Sequence, residues 1–179
     1  MSEKPKIIYT IGHSTLSLES FISRLKAHGV ELLADVRTVP RSRFNPQFNR
    51  DTLPGALAGA GIGYEHFPGL GGLRHSKLKD SPNAGWHSTA FRNYADYMMT
   101  PDFEVGLNLL IAAAIERRTA IMCAEAVPWR CHRNLIADAL TVRGFQIEHI
   151  MDDRTPHRHV ITPWAHVSGT EITYRAQPA

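Results

Sequence analysis

Apolar positions recur along the chain in two rhythms, one that fits strands and one that fits helices. Ile7 to Ile11 is a β-branched and aromatic run ending in the turn formers Gly12 to Thr15, which predicts a short buried strand. Leu18, Phe21, Ile22 and Leu25 return at helical spacing, with Ser17 as cap, Glu19 in the first turn and Gly29 as the stop. Glu31 to Val36 reads as a second strand, and the strand, helix, strand series predicts parallel pairing. From Arg37 to Arg50 there is no apolar period and there are two prolines, so a long loop is expected.

Asp51 is placed to cap a short helix through Leu57 that stops at Gly61, and Ile62 to Phe67 gives a third strand. Pro68 to Ser88 is glycine-rich and polar, a second long loop or lid. Phe91, Tyr94, Ala95 and Met98 mark one helix; Thr100 as cap and Pro101 at the first helical position open another that runs to about Arg118. Thr119 to Ala124 is a fourth strand, Arg133 to Arg143 an amphipathic helix stopped by Gly144, and Phe145 to Met151 a fifth strand. The segment 152–179 is a tail rich in His and Pro, with a short strand at Glu171 to Arg175 and with His157, His159 and His166 lacking evident partners. The pattern predicts an α/β fold: a single three-layer domain over 1–179 with about five mostly parallel strands.

Composition adds little to this and excludes much. The chain has 179 residues, 43% hydrophobic and 21% charged, which is neither disordered nor fibrous. Its longest apolar stretch, Val105 to Ile115, is interrupted by Gly106 and Asn108 and is too short to span a bilayer, so no membrane association is expected. The start has no signal-peptide core, and two cysteines, Cys123 and Cys131, are too few for a disulfide framework; a cytoplasmic location is the expectation. The net charge of +3 is small, but Arg37, Arg41, Arg43 and Arg50 fall between Asp35 and Asp51 with no acidic residue among them. Guanidinium groups match phosphate and carboxylate, which makes this stretch an anion-binding candidate.

Ligands of open parallel sheets bind beyond the carboxyl ends of the strands. That rule gathers Gly12, His13 and Ser14 after the first strand, Asp35, Arg37, Ser42 and Arg43 after the second, and Cys123, Glu125, Arg130, Cys131, His132 and Arg133 after the fourth. His13, Asp35, Glu125, Cys131 and His132 are the candidate catalytic groups; Gly12, Ser14, Arg37, Ser42, Arg43, Arg130 and Arg133 are candidate ligand contacts. Cys131 precedes a helix beside two arginines, where a thiol pKa should fall, whereas Cys123 ends a hydrophobic strand; Cys131 is therefore expected to be the more reactive thiol. The loop does not fit a tyrosine phosphatase, because six residues, not five, separate Cys123 from Arg130 and only one separates Cys131 from Arg133. A zinc site is not announced either, since the cysteines are no close pair; only a mixed set from His13, His66, Cys123 and Cys131 would serve, and no metal ligand is assigned.

Several strings acquire a joint meaning: IGHS followed by SLESF, VELLADVRTVPRSR, Phe48 with Asn49, GIGYEHFPGLGG, CAEAVPWRCHR with its helix, and His149 with Ile150. Together they resemble the bacterial and archaeal domain of unknown function 488 family, from Ile8 to about Ile150. The resemblance implies an α/β fold and a shared polar site, with signature positions at Gly12, His13, Ser14, Asp35, Arg37, Pro40, Ser42, Leu70, Gly71, Gly72, Cys123, Glu125, Cys131, His132 and Arg133. It carries no substrate.

The sequence thus favours an enzyme, a hydrolase or transferase, binding a phosphate-bearing ligand such as a nucleotide or nucleic-acid component. An alternative is a non-catalytic nucleic-acid-binding module using the Arg37 to Arg50 loop with Phe44, Phe48 and Trp129 as stacking residues. A third is a thiol-based sensor built on Cys123 and Cys131. Neither a cofactor nor an oligomeric state follows from the sequence.

Overall fold

The computed structural model describes residues 3–178. Five parallel strands form the main sheet: β1 (Ile7–Gly12), β2 (Leu32–Asp35), β3 (Gly63–His66), β4 (Thr119–Cys123) and β5 (Gln146–Ile150). A short sixth strand, β6 (His157–Arg158), lies antiparallel to β5, and the order across the sheet is β3-β2-β4-β1-β5-β6. The tail also forms a separate hairpin of β7 (His166–Ser168) and β8 (Glu171–Thr173).

Strands β1 and β2 are parallel, as the series of elements implies, but they are not neighbours. β4 lies between them, paired to β1 through Gly12↔Cys123 and to β2 through Asp35↔Met122. Every residue of β2 and β4 is buried, so both need neighbours on two edges; placing β4 centrally satisfies both strands. Pairing across so many residues is a tertiary choice that short connections do not dictate.

Helices cover both faces. α1 (Leu18–Ala27) and α2 (Leu53–Gly59) bury Phe21, Leu25, Leu53 and Leu57 against Tyr9, Ile11, Leu33 and Met122. α3 (Thr89–Tyr97), α4 (Pro101–Glu116) and α5 (Arg133–Thr141) pack Tyr94, Phe103, Leu107, Leu135 and Ile136 over Ile8, Ile121 and Ile147. The alternation of strand side chains between faces thus yields three layers. Ser17, Ser88 and Thr100 cap α1, α3 and α4 through side-chain acceptance from Ser20, Phe91 and Phe103 backbone N–H groups. Asp51 does not cap α2: Thr52 holds that position without a capping hydrogen bond, and Pro54 in the first turn needs no donor partner. Among the described residues no single helix is long and apolar enough to cross a membrane.

The tail is tied to the core, contrary to the expectation for its histidines. Asp138, fully buried in α5, accepts from His159 Nε2 at 2.7 Å, from the Thr162 hydroxyl at 2.7 Å and from the Tyr174 hydroxyl at 2.7 Å. His159 Nδ1 lies 2.9 Å from His149 Nε2, and His149 Nδ1 lies 2.6 Å from the Thr10 hydroxyl. One proton arrangement satisfies the whole chain: each ring neutral with its proton on Nε2, Thr10 donating to His149, His149 to His159, and His159 to Asp138. His157 and His166 remain exposed.

Two outcomes follow from this network. Asp138→Ala strands four donors at once, the Thr162 backbone N–H among them, and should lower unfolding free energy in urea by on the order of 3–5 kcal/mol; a loss below about 1 kcal/mol would show that the tail is not held this way. The pKa of His149 is lowered to about 3, chiefly by burial, with the Arg133 guanidinium adding to it. Its folded value lies below the unfolded one, so its stabilising effect is complete above about pH 6.5 and is lost as pH falls toward 3, at about 1.4 kcal/mol per unit. Urea unfolding at pH 7 and at about pH 4.5 should therefore show a pH dependence that His149→Gln flattens; an unchanged dependence would contradict the buried neutral ring.

Candidate active site

All five parallel strands end at one edge of the sheet, and the loops that leave this edge carry the candidate residues. They fall into two clusters, one on each face.

The first cluster joins β1, β2 and β3 on the α1/α2 face. Asp35, fully buried at the end of β2, accepts Arg37 Nε at 2.9 Å, Arg37 Nη2 at 2.7 Å, the Arg37 backbone N–H at 3.1 Å and the Tyr64 hydroxyl at 2.6 Å. Burial and the Asp35 carboxylate push the Tyr64 phenol up, so it stays a donor. Arg37 Nη2 also donates to the Phe48 carbonyl at 2.7 Å, and its Nη1 points to His13 Nε2 at 3.4 Å. His13 donates from Nδ1 to the Ser14 carbonyl at 2.9 Å and stacks on the Phe48 ring with centroids 4.4 Å apart. Burial holds the His13 pKa down, with Arg37 adding to it against the Ser14 carbonyl. Every polar atom of Asp35 and both ring nitrogens of His13 are thus engaged, and Phe48 lies in the core. The bidentate Arg37–Asp35 pair closes the ends of β1, β2 and β3 into one unit.

The second cluster sits on the α5 face. Gly12 is required there: a Cβ would stand 1.7 Å from the Glu125 carbonyl oxygen, so only glycine lets the loop after β4 cross the end of β1. His13 and Ser14 backbone N–H groups donate to the Cys123 and Ala124 carbonyls, and Ser14 takes a positive φ of 45° to do so. The crossing carries Cys131 to the head of α5, where its Sγ lies 2.7 Å from Cys123 Sγ and 3.3 Å from His132 Nδ1. His132 donates from Nε2 to the Val36 carbonyl at 2.8 Å, leaving Nδ1 as an acceptor. Burial, with Arg133 and Arg74 nearby, pulls the His132 pKa down to about 4 despite the Val36 carbonyl. Gly72 leaves the room this ring needs, since a Cβ there would be 2.5 Å from Nδ1.

The two thiols differ in the direction opposite to that expected from sequence. Burial raises both, but Cys131 donates its S–H toward Cys123, and that hydrogen bond and the Arg133 guanidinium bring Cys123 below its ordinary value. Cys131 is driven well above it by burial and by Cys123, although the Arg133 backbone N–H reaches its sulfur at 3.4 Å. Cys123 is the more acidic thiol of the pair.

Arg133 completes the cluster. Its side chain is 1% exposed; Nη2 donates to the Glu125 carbonyl at 3.2 Å and the Ala126 carbonyl at 3.4 Å, while Nε and Nη1 have no partner among the described residues. The remaining candidates lie outside. Glu125, Arg130 and Arg43 are exposed, and Arg43 stands 6.0 Å over the Phe44 ring. Ser42 knits its own loop, its N–H donating to Asn49 Oδ1 and its hydroxyl accepting from the Asn45 N–H. Among the described residues no group of three or more His, Cys, Asp or Glu side chains is placed to hold a metal ion, and His13 and His66 are turned toward Arg37 on the other face from the thiols. Sequence reasoning missed Tyr64, Thr10, His149, His159 and Asp138 because each finds its polar partner in a distant segment; only their alternation into the core-facing positions of strands and helices marked them as buried polar groups.

No curated protein and no solved structure matches the chain. The profile of a family described as "Domain of unknown function DUF488" matches residues 17–140, which span α1, the strands β2, β3 and β4, the long loops and nearly all of α5. The chain belongs to this DUF488 family.

Proposed function

We propose that the chain is an enzyme, a hydrolase or transferase, that binds a small phosphate-bearing substrate at the carboxyl edge of the sheet and attacks it with the Cys123 thiolate. The observation that carries this reading is the buried Arg133 guanidinium, two of whose nitrogens, Nε and Nη1, have no partner among the described residues, and whose charge favours ionisation of that sulfur. Among the described residues Arg133 forms no ion pair, and a buried cation without an anion costs several kcal/mol. The Cys123 thiolate offsets part of this cost. Nε and Nη1 lie on opposite sides of the guanidinium and each offers its own N–H to an anionic oxygen, and the first turn of α5 adds its positive dipole end.

In this reading the Cys123 sulfur forms a bond to the electrophilic atom of the substrate while the bond to the leaving group breaks. The Cys131 thiol, 2.7 Å away, supplies a proton to the departing group, and Glu125 on the exposed loop takes a proton from the water or second acceptor that releases the product. The His13–Arg37–Asp35 cluster has no free valence for such a step; it positions the loop after β1 against the loop after β4.

A nucleic-acid reading has its own support. Phe44 is 88% exposed beneath Arg43, and Arg41, Arg50, Trp129 and Arg130 are exposed on loops of the same edge. Arg37 and Phe48, however, are consumed in the buried cluster.

Calorimetric titration with inorganic phosphate and with a nucleoside monophosphate tests the choice. Arg133→Met should weaken binding by about tenfold or more, the effect of losing charge-assisted hydrogen bonds, and Arg133→Lys should recover only part because one ammonium cannot replace donors on two separate nitrogens. Unchanged affinity in both variants would overturn the assignment. Tight binding of single-stranded RNA with a steep salt dependence, and none of phosphate or nucleotide, would transfer the function to the exposed arginine loop.

A further inference from the structure

We propose that Cys123 and Cys131 form a reversible intramolecular disulfide when the protein meets a hydroperoxide, and that this bond switches the site off. The inference rests on the reading of Cys123 as nucleophile only for its effect on turnover; the disulfide itself stands on separate observations.

Both cysteines are free, and their sulfurs lie 2.7 Å apart. A disulfide is about 2.05 Å long, so closure asks for a shift of roughly 0.7 Å. The two ends of the bridge are unequal. Cys123 is fixed in the central strand β4, with β1 and β2 on either side. Cys131 stands between the 3-10 turn Pro128–Arg130 and the start of α5, at the end of a connection whose residues Ala124, Glu125 and Ala126 are exposed. The small displacement therefore falls on Cys131.

The surroundings fit the two steps of peroxide oxidation. The Arg133 guanidinium favours the thiolate at Cys123, and its unpartnered Nε and Nη1 are donors for a peroxide oxygen. The Cys123 sulfur attacks one oxygen; the O–O bond breaks and hydroxide leaves, taking a proton to become water and leaving a sulfenic acid. Cys131 then attacks that sulfur. Its proton passes by way of His132 Nδ1, whose lone pair is held 3.3 Å from Cys131 Sγ by the Nε2 hydrogen bond to Val36, and the departing hydroxide collects it as a second water. Two thiols and one peroxide become one disulfide and two waters, each sulfur losing one electron. The product has no thiolate at Cys123, so Arg133 also loses its counter-charge.

The full-length reduced protein, treated with equimolar hydrogen peroxide, should lose two hydrogens in intact mass and show no titratable thiol after unfolding; dithiothreitol should restore both thiols. In Cys131→Ser the same treatment should add one oxygen at Cys123, trapped by dimedone, with no disulfide. Wild-type protein that keeps both thiols, gains oxygen without losing two hydrogens, or links chain to chain would overturn the inference. If Cys131→Ser does not fold, the wild-type mass and thiol count decide. The outcome is independent of phosphate titration on the reduced protein: a disulfide without phosphate binding supports this inference and removes the enzyme reading, and phosphate binding without a disulfide does the reverse.

Discussion

The Arg133 guanidinium is held out of water between a thiol pair and two backbone carbonyls, and the organisation of the site follows from how its charge is met. Nη2 satisfies itself on the loop that crosses Gly12; Nε and Nη1 do not. A charge so placed needs an anion, and the Cys123 sulfur, whose ionisation the guanidinium favours, can supply one. The crossing loop, the glycine beneath it, the acidified Cys123 thiol and its raised Cys131 partner are therefore parts of one electrostatic arrangement. Removing the methyl-sized space at Gly12 would displace the Glu125 carbonyl and with it the group that orients Arg133.

The same edge holds a second arginine in the opposite condition. Arg37 is matched to Asp35 in a bidentate pair, with Tyr64, Phe48 and His13 using what remains. Asp138 is saturated in the same manner by His159, Thr162 and Tyr174. Saturated buried networks fix geometry; unsaturated ones leave free energy for a ligand. That contrast separates the groups that brace the edge from the group available for chemistry, although both kinds drew equal notice as residue types.

Much of the fold was legible because each element shows a single period. The alternating or continuous apolar runs of β1 and β4, the spacing of Phe21 with Leu25, and the Thr100–Pro101 start of α4 each admit one local structure. The edge at which the polar residues gather was legible for the same reason. What was not legible is non-local. The insertion of β4 between β1 and β2 depends on which strands are buried on both edges, and the tail's attachment depends on Asp138 meeting His159, Thr162 and Tyr174 from segments 21 to 36 positions away. The polarity of the thiol pair was misread because helix position was weighed without the partner sulfur. Once Cys131 donates to Cys123, the helix start stabilises the donor's sulfur while the guanidinium stabilises the acceptor's charge.

The Cys131 hydrogen bond and the Arg133 guanidinium together make Cys123 the more acidic thiol. The ultraviolet absorbance of the thiolate, followed against pH in the reduced protein, reads this directly. One thiolate per chain should titrate below the ordinary thiol value of 9.0, and Cys123→Ser should abolish that transition. Arg133→Met should move it upward by at least about one unit, since each unit corresponds to about 1.4 kcal/mol of lost charge interaction. If both thiols instead ionise only above 9.0 in the wild-type protein, or if Arg133→Met leaves the titration unmoved, the guanidinium does not govern the sulfur and the account fails.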